Sequence, residues 1–434
     1  MLTRALWRPG QEPPALQRLL HRMDGPSADV NRDVWRIIKQ VRAEGDAALL
    51  RLAAELDGVD LTPDRLRVTR PELEALAAGV PQQTLEGLER LADRLRRVAE
   101  RGLPEGFTLD DDSGGRIEQR FRPLDSVGIY IPGGTASFPS TALMCAVPAA
   151  VAGVERLVAV TPPRALEESP ALAAALMIAG VDEVYRVGGA QAIAALALGT
   201  ASIPAVTKVV GPGNIYVAAA KRLCFGRVGI DAFAGPSELV IVADPETPAD
   251  WIAADLLAVA EHDADATVAA ILWSTEQADA VDAAVHRQLA DLPRRAIASK
   301  ALTNRGALFV VLGPEAACRL CDLIAPQLVE LLVEDPAPLA ERIHHAAAVF
   351  LGRHTPQAVG DYAAGTNAVL PTSMTARFSS GLDVTDFLKR SQWVSWTPAR
   401  LHAEREGAAD LARSEGLEGH ARSLEVRGRL LREG

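Results

Sequence analysis

Between Ala28 and Arg101 apolar residues recur at intervals of three and four between charges, as in NRDVWRIIKQVRAEGDAALLRLAAEL, which is the period of helices with one buried face. The pattern predicts a helical layer without site chemistry. The period changes in RIEQRFRPLDSVGIYIPGG, predicting a strand that runs into a glycine turn. Short apolar runs then alternate with helical stretches: RLVAVTPP, EVYRVGG and KVVGPGN read as strands, ALAAALMIAG and AQAIAALALGT as helices. Such alternation implies right-handed crossovers and a parallel sheet. SELVIVAD followed by PADWIAADLLAVAEHD repeats the theme and predicts a second sheet. GALFVVL and AAAVFLG supply further strands around a helix containing CRLCDLIAPQLVELLV. After Lys389 the chain turns charged, predicting a strandless helical tail that packs across a subunit boundary.

Two segments carry no charge over the length of a membrane span, Ser126 to Val154 and Val187 to Thr207. Glycine pairs and internal prolines interrupt both, so neither suits a helix in lipid, and both fit buried strands and helix starts of a parallel sheet. The N-terminus has prolines and charges where a signal peptide needs an apolar stretch, and a cytoplasmic location is expected. The 434 residues carry 56 acidic against 45 basic side chains, a formal charge of −11, which disfavours a nucleic-acid binder. Hydrophobic residues make up 48% and aromatics 4%, so the core is expected to be mainly Ala, Leu and Val. Four scattered cysteines do not make a disulfide framework. Cys318 and Cys321 form a lone CxxC on one helix face and read as buried small side chains.

Candidate chemistry sits in three glycine loops that follow predicted strands: IYIPGGTASFPST, VGGAQAIAAL and VVGPGNIYVAAAKR. Glycine lets backbone approach a ligand, and the following helix N-termini offer N–H groups to phosphates. None matches GxGxxG, so each is a tight turn or a ligand contact, and three on one sheet edge point to a nucleotide. In GIDAFAGPSELVIVAD, Ser237 and Glu238 form either a turn or a substrate contact.

Together VGIYIPGGTASFPSTALMCAVPA, VGPGNIYVAAAKR, GIDAFAGPSELVIVAD, AEHDADA, TNAVLPT, ARFSSGLDVTDFLKR and EGLEGHARSLEVR resemble, in order, the signatures of the histidinol dehydrogenase family over essentially the whole chain. The resemblance implies an α/β fold of two incomplete Rossmann-like parallel-sheet domains with small helical terminal parts, in an intertwined homodimer. It implies an N-terminal arm over 1–25, a larger α/β domain from 26–128 and 238–385, an NAD-binding domain over 129–237 and a C-terminal tail over 386–434 that reaches the partner. It also implies two successive NAD-dependent oxidations of an amino alcohol, with zinc at the substrate. On the matching positions, Tyr130, Gln191 and Asn214 are implied NAD contacts. Ser237 and Glu415 are implied substrate contacts, and His262, Asp361 and His420 implied zinc ligands that also face substrate.

The chain departs from that pattern in three segments. The family's fourth zinc ligand, a glutamine, is replaced by Val259, which cannot coordinate; His262, Asp361 and His420 would leave the three-ligand form usual in catalytic zinc sites. The acid/base pair of the family's APEHLE motif is replaced by Gln327 and Leu328, neither of which exchanges a proton near neutral pH. Ala368 replaces a family histidine. Without these groups, aldehyde hydration is expected to fail while a two-electron alcohol or amino-alcohol oxidation stays chemically coherent, in a more apolar pocket. The other readings are a true histidinol dehydrogenase and a non-catalytic nucleotide-binding dimer. His344 and His345 precede a strand, where adjacent side chains diverge. If the segment is helical, Glu330 lies one turn beyond Gln327 and faces structure.

Overall fold

The computed structural model describes residues 2–112, 114–133, 137–232 and 235–430. It divides into two compact units, Met1–Gly102 with Leu124–Phe387, and Leu103–Pro123 with Leu388–Gly434. Parts of two expected site loops, 134–136 and 233–234, lie outside the described residues.

The first unit holds two six-stranded sheets. One is wholly parallel and runs Thr3–Leu6, Gly306–Val310, Thr267–Leu272, Glu238–Ala243, Leu328–Leu332 and Ala348–Leu351. Every residue of Glu238–Ala243, Thr267–Leu272 and Leu328–Leu332 is buried. That is why these strands read as continuous apolar runs instead of alternating. The other sheet runs Arg67–Val68, Glu183–Arg186, Arg156–Thr161, Ser126–Tyr130, Lys208–Val210 and Gly229–Ile230, parallel except for its first strand. In each, the first strand of the chain takes an edge; the remaining strands start in the middle, build out to that edge, then return to build on the other side, leaving a switch point between the two neighbours where the direction reverses. The expected pair of Rossmann-like sheets is present.

Ser27 accepts from the N–H of Val30 and caps the helix Ala28–Glu44, whose buried residues Val34, Ile37, Ile38 and Val41 follow the helical period. That face packs on the helices Gly189–Leu198 and Ile215–Cys224 of the second sheet. At about 1.5–3 kcal/mol per fully buried side chain, the four residues hold the helical layer there. Arg67–Val68 lies at that sheet's edge. The N-terminal arm adds the strand Thr3–Leu6 and the helix Pro14–Leu20 to the first sheet and its core.

Two expectations need correction. CRLCDLIAPQLVELLV is not one helix: it ends at Ile324, Ala325 takes a left-handed φ of 47°, and Leu328–Leu332 pairs as a strand on both sides. Pro326 cannot continue the helix, and the five apolar-flanked residues fill a sheet slot. The tail is not strandless either. Leu388–Trp396 pairs antiparallel with Gly115–Pro123, which also pairs with Phe107–Asp110, forming the small sheet of the second unit. Within it the Arg120 guanidinium sits 3.9 Å from the Trp393 ring centroid. The helices Pro398–Ser414 and Glu418–Leu430 complete that unit. Cys318 and Cys321 are buried on the helix Pro314–Ile324, where burial raises both thiols and leaves them inert. Among the described residues no helix is long and apolar enough to cross a membrane.

Candidate active site

At the switch point of the second sheet, Ser126–Tyr130 and Lys208–Val210 are neighbours, and the backbone after each strand enters a glycine loop. Gly211 has φ +107°, and a Cβ there would stand 2.2 Å from the Tyr130 carbonyl oxygen, so only glycine fits. Its N–H donates to Asp231 at 2.8 Å, and its carbonyl accepts from the Lys221 ammonium at 2.6 Å. Lys221 also pairs with Asp231 at 2.5 Å, both side chains buried, which clamps the loop from beneath. Asn214 then caps the helix Ile215–Cys224, its Oδ1 accepting from the N–H groups of Tyr216 and Val217.

This loop edge and the amino ends of the first sheet's strands enclose a cavity of about 810 Å³. From the second sheet come Pro132, Gly133, Gly213 and Asn214; from the first, Ser237, Gln327 and Leu328. Val259 and His262, at the end of the helix Ala249–Ala260, form another part of the wall, with Asp361 and Ala368 nearby on the chain that follows Ala348–Leu351. His262, which by sequence alone fits a solvated helix face, instead lies past the helix end and stacks on Phe138 at 6.3 Å between ring centroids. Burial raises the Asp361 carboxyl above the ordinary carboxylate range, while a hydrogen bond from Gln357 and the charge of His262 pull it back. Asn367 donates to the Met144 carbonyl at 2.7 Å, which sets Ala368 on the wall.

Of the residues singled out in the sequence, Asn214, Ser237, His262, Asp361, Gln327, Leu328, Val259 and Ala368 therefore share one cavity. Tyr130 and Gln191 do not line it. Both are buried next to Gly189, the Tyr130 hydroxyl accepting from the Gly189 N–H at 3.2 Å, and burial pushes that phenol up to about 12. Gln191 Oε1 is buried without a hydrogen-bond partner among the described residues. Glu415 and His420 are exposed positions of the second unit, at the end of Pro398–Ser414 and within Glu418–Leu430. His344 and His345 stand away from the cavity, their backbone N–H groups both on Asp322.

The sequence reading missed Gln357, which touches Asp361, and Arg22, which lines the cavity and pairs with buried Glu238. Neither belongs to a motif, and only folding brings them to the site. Among the described residues no group of three or more His, Cys, Asp or Glu side chains is placed to hold a metal. His262 and Asp361 supply two donors, one short of the three protein ligands of a catalytic zinc centre. For a dinucleotide the fit is better: a switch-point loop, a helix N-terminus and an orphaned buried acceptor at Gln191 stand on one sheet edge.

The fold defines a double Rossmann-like α/β protein with a cavity at the switch point of its second sheet. The histidinol dehydrogenase family model matches residues 20–428. Histidinol dehydrogenase of Rhizobium meliloti (strain 1021) is 48% identical over 408 residues, 94% of each chain. That of Bradyrhizobium diazoefficiens is 49% identical over 401 residues, 92% of this chain and 93% of its own. The crystal structure of histidinol dehydrogenase from Elizabethkingia anophelis superposes with a TM-score of 0.90 at 31% identity, covering 99% of both chains. The chain belongs to the histidinol dehydrogenase family.

Proposed function

We propose that this family member is an NAD-dependent oxidoreductase that takes an alcohol or amino alcohol through a single two-electron oxidation. One observation carries the reading: the wall that holds Asn214, His262 and Asp361 presents Gln, Leu and Ala at 327, 328 and 368. With NAD bound as hydride acceptor, the hydroxyl proton would pass to His262, and the O–H and C–H bonds lost would become a carbonyl, NADH and a proton. Asp361, close enough to feel the His262 charge, stabilises the imidazolium. Oxidising the resulting aldehyde further requires an activated water. Gln327 and Leu328 cannot take its proton, and loss of a general base costs about 10²–10⁴-fold. A product that stops at the carbonyl follows.

NAD is assigned to residues 129–237, with Asn214 facing the cavity and Gln191 supplying an acceptor. The family resemblance implies His262, Asp361 and His420 as zinc ligands, and a zinc ion held by them would polarise the bound hydroxyl in place of proton transfer to His262. The proton step is assigned to His262 and Asp361, and NAD would take the hydride. The tail, 386–434, is assigned to a homodimer contact, and the protein to the cytoplasm.

The test is stoichiometric. Purified protein is supplied with NAD and a panel of alcohols and amino alcohols that includes histidinol, and NADH is counted per substrate consumed. One NADH and an aldehyde or ketone are expected. Two NADH per histidinol would overturn the two-electron reading, and no NADH from any alcohol, with NAD bound, would overturn the enzymatic one.

A further inference from the structure

The carboxamide of Gln327 is held in one orientation. The backbone N–H of Glu238 can only donate, and it reaches Gln327 Oε1 at 3.0 Å. The backbone N–H of Gln327 returns a bond to Glu238 Oε2 at 3.2 Å, so the two residues are tied reciprocally across neighbouring strands. Glu238 has no freedom to release this tie. Arg22 meets both its oxygens, at 2.7 and 3.0 Å, and the Ser373 N–H meets Oε1 at 2.7 Å. With Oε1 engaged, what remains of Gln327 is Nε2, and among the described residues no acceptor meets it. Gln327 lines the cavity, so its offer to a ligand is two N–H donors without charge.

The rest of that wall adds no competing acceptor at the substituted positions. Val259 and Leu328 are 1% and 5% exposed and, with Ala368, Met144 and Leu370, face the same space. Three arginines on the cavity wall, Arg22, Arg222 and Arg305, match three aspartates, Asp263, Asp265 and Asp361, in number, so no bulk charge overrides the donor. A cationic group placed at Nε2 would meet N–H dipoles with their positive ends toward it and an apolar surround that solvates it poorly.

We infer that Gln327 is a specificity-determining contact: the cavity selects a ligand that presents an acceptor oxygen, a carbonyl or carboxylate, beside an apolar body, and selects against an ammonium or imidazolium in that place. The inference rests on the cavity being the substrate site of the proposed oxidoreductase, and it narrows the substrate class.

Butyrate and n-butylammonium carry similar apolar bodies and opposite heads. Their dissociation constants are measured by ligand-observed NMR on the full chain with saturating NAD. The wild-type protein is expected to bind butyrate at least tenfold more tightly. Gln327→Glu keeps an oxygen for the Glu238 N–H and turns the donor into an acceptor, so the preference should fall tenfold or reverse. Gln327→Met keeps the volume, removes both groups and should abolish the preference without reversing it, which gives a second arm if the glutamate variant misfolds. Equal affinities in the wild type, or a ratio unchanged in both variants, would overturn the inference. Absence of turnover with any alcohol would defeat the oxidoreductase reading while a measured preference stood, so the two failures are separable.

Discussion

Gln357 donates its side-chain amide to Asp361, while its own backbone N–H donates to buried Glu330 at 2.5 Å. The carboxylate on the cavity wall is thereby oriented through a residue that is itself anchored to the first sheet. A hydrogen bond to a charged group is worth about 1.5–3 kcal/mol. Gln357→Leu should thus lower kcat/KM by about 10–100-fold for whichever alcohol the wild type oxidises, with unchanged circular dichroism. Gln357→Glu sets a like charge beside Asp361 and should do worse than leucine. Equal activity of the leucine variant and the wild type would remove Gln357 from the site.

Glu330 faces Asp255, and burial raises both carboxyls, Asp255 to about 6 and Glu330 well above its ordinary value; the charge of Asp255 raises Glu330 further, while the hydrogen bond with Glu330 holds Asp255 down. The folded pair therefore binds more protons than the unfolded chain once pH passes the ordinary carboxylate range near 4. By linkage, stability falls as pH rises from about 4 through 6 and beyond. Glu330→Gln keeps an acceptor for the Gln357 N–H and a donor for Asp255 without a proton to lose. Its melting temperature should vary less between pH 5 and 8 than that of the wild type and should exceed it at pH 8. A variant whose pH profile parallels the wild type would show that the pair does not titrate in this range.

Glu330 also shows where the sequence ran out. Its surroundings form a strand of five residues directly after a helix, and an apolar run that short carries no period to separate the two forms. The strand Leu388–Trp396 escaped for the opposite reason: it is exposed at most positions on both faces, so no alternation marks it. The buried parallel strands were legible because burial on both sides makes them continuous apolar runs. At the site, Val259, Leu328 and Ala368 were visible as departures from family strings. The orientation of Gln327 was not, because it depends on a backbone N–H 89 positions away.

The clamp under the Gly211 loop predicts a coupled loss. Lys221 and Asp231 are 2% and 4% exposed in their side chains, so removing one leaves a buried, uncompensated charge. Lys221→Met should cost about 3–5 kcal/mol in denaturant unfolding and weaken NAD binding through a loosened Gly211. The double variant Lys221→Met/Asp231→Asn removes the stranded charge and keeps an acceptor for the Gly211 N–H, so stability should largely return. If the double variant unfolds as readily as the single one, the cost is not that of an orphaned carboxylate.

Two glycines with similar backbone angles separate strain from crowding. Gly211 and Gly226 have φ +107° and +93°, but a Cβ on Gly226 meets nothing within 4 Å, whereas one on Gly211 collides with the Tyr130 carbonyl. Gly226→Ala carries only the left-handed backbone penalty, about 1–2 kcal/mol, far from the cavity wall. Gly211→Ala must also push apart the two strands at the switch point, since neither atom in the collision is a movable side-chain end. The expected result is an NAD affinity within twofold of wild type for Gly226→Ala and at least tenfold weaker for Gly211→Ala, read by isothermal titration at a temperature where both variants stay folded. Matched affinities would mean that the dinucleotide does not approach this loop and would move the cofactor assignment away from the switch point of the second sheet.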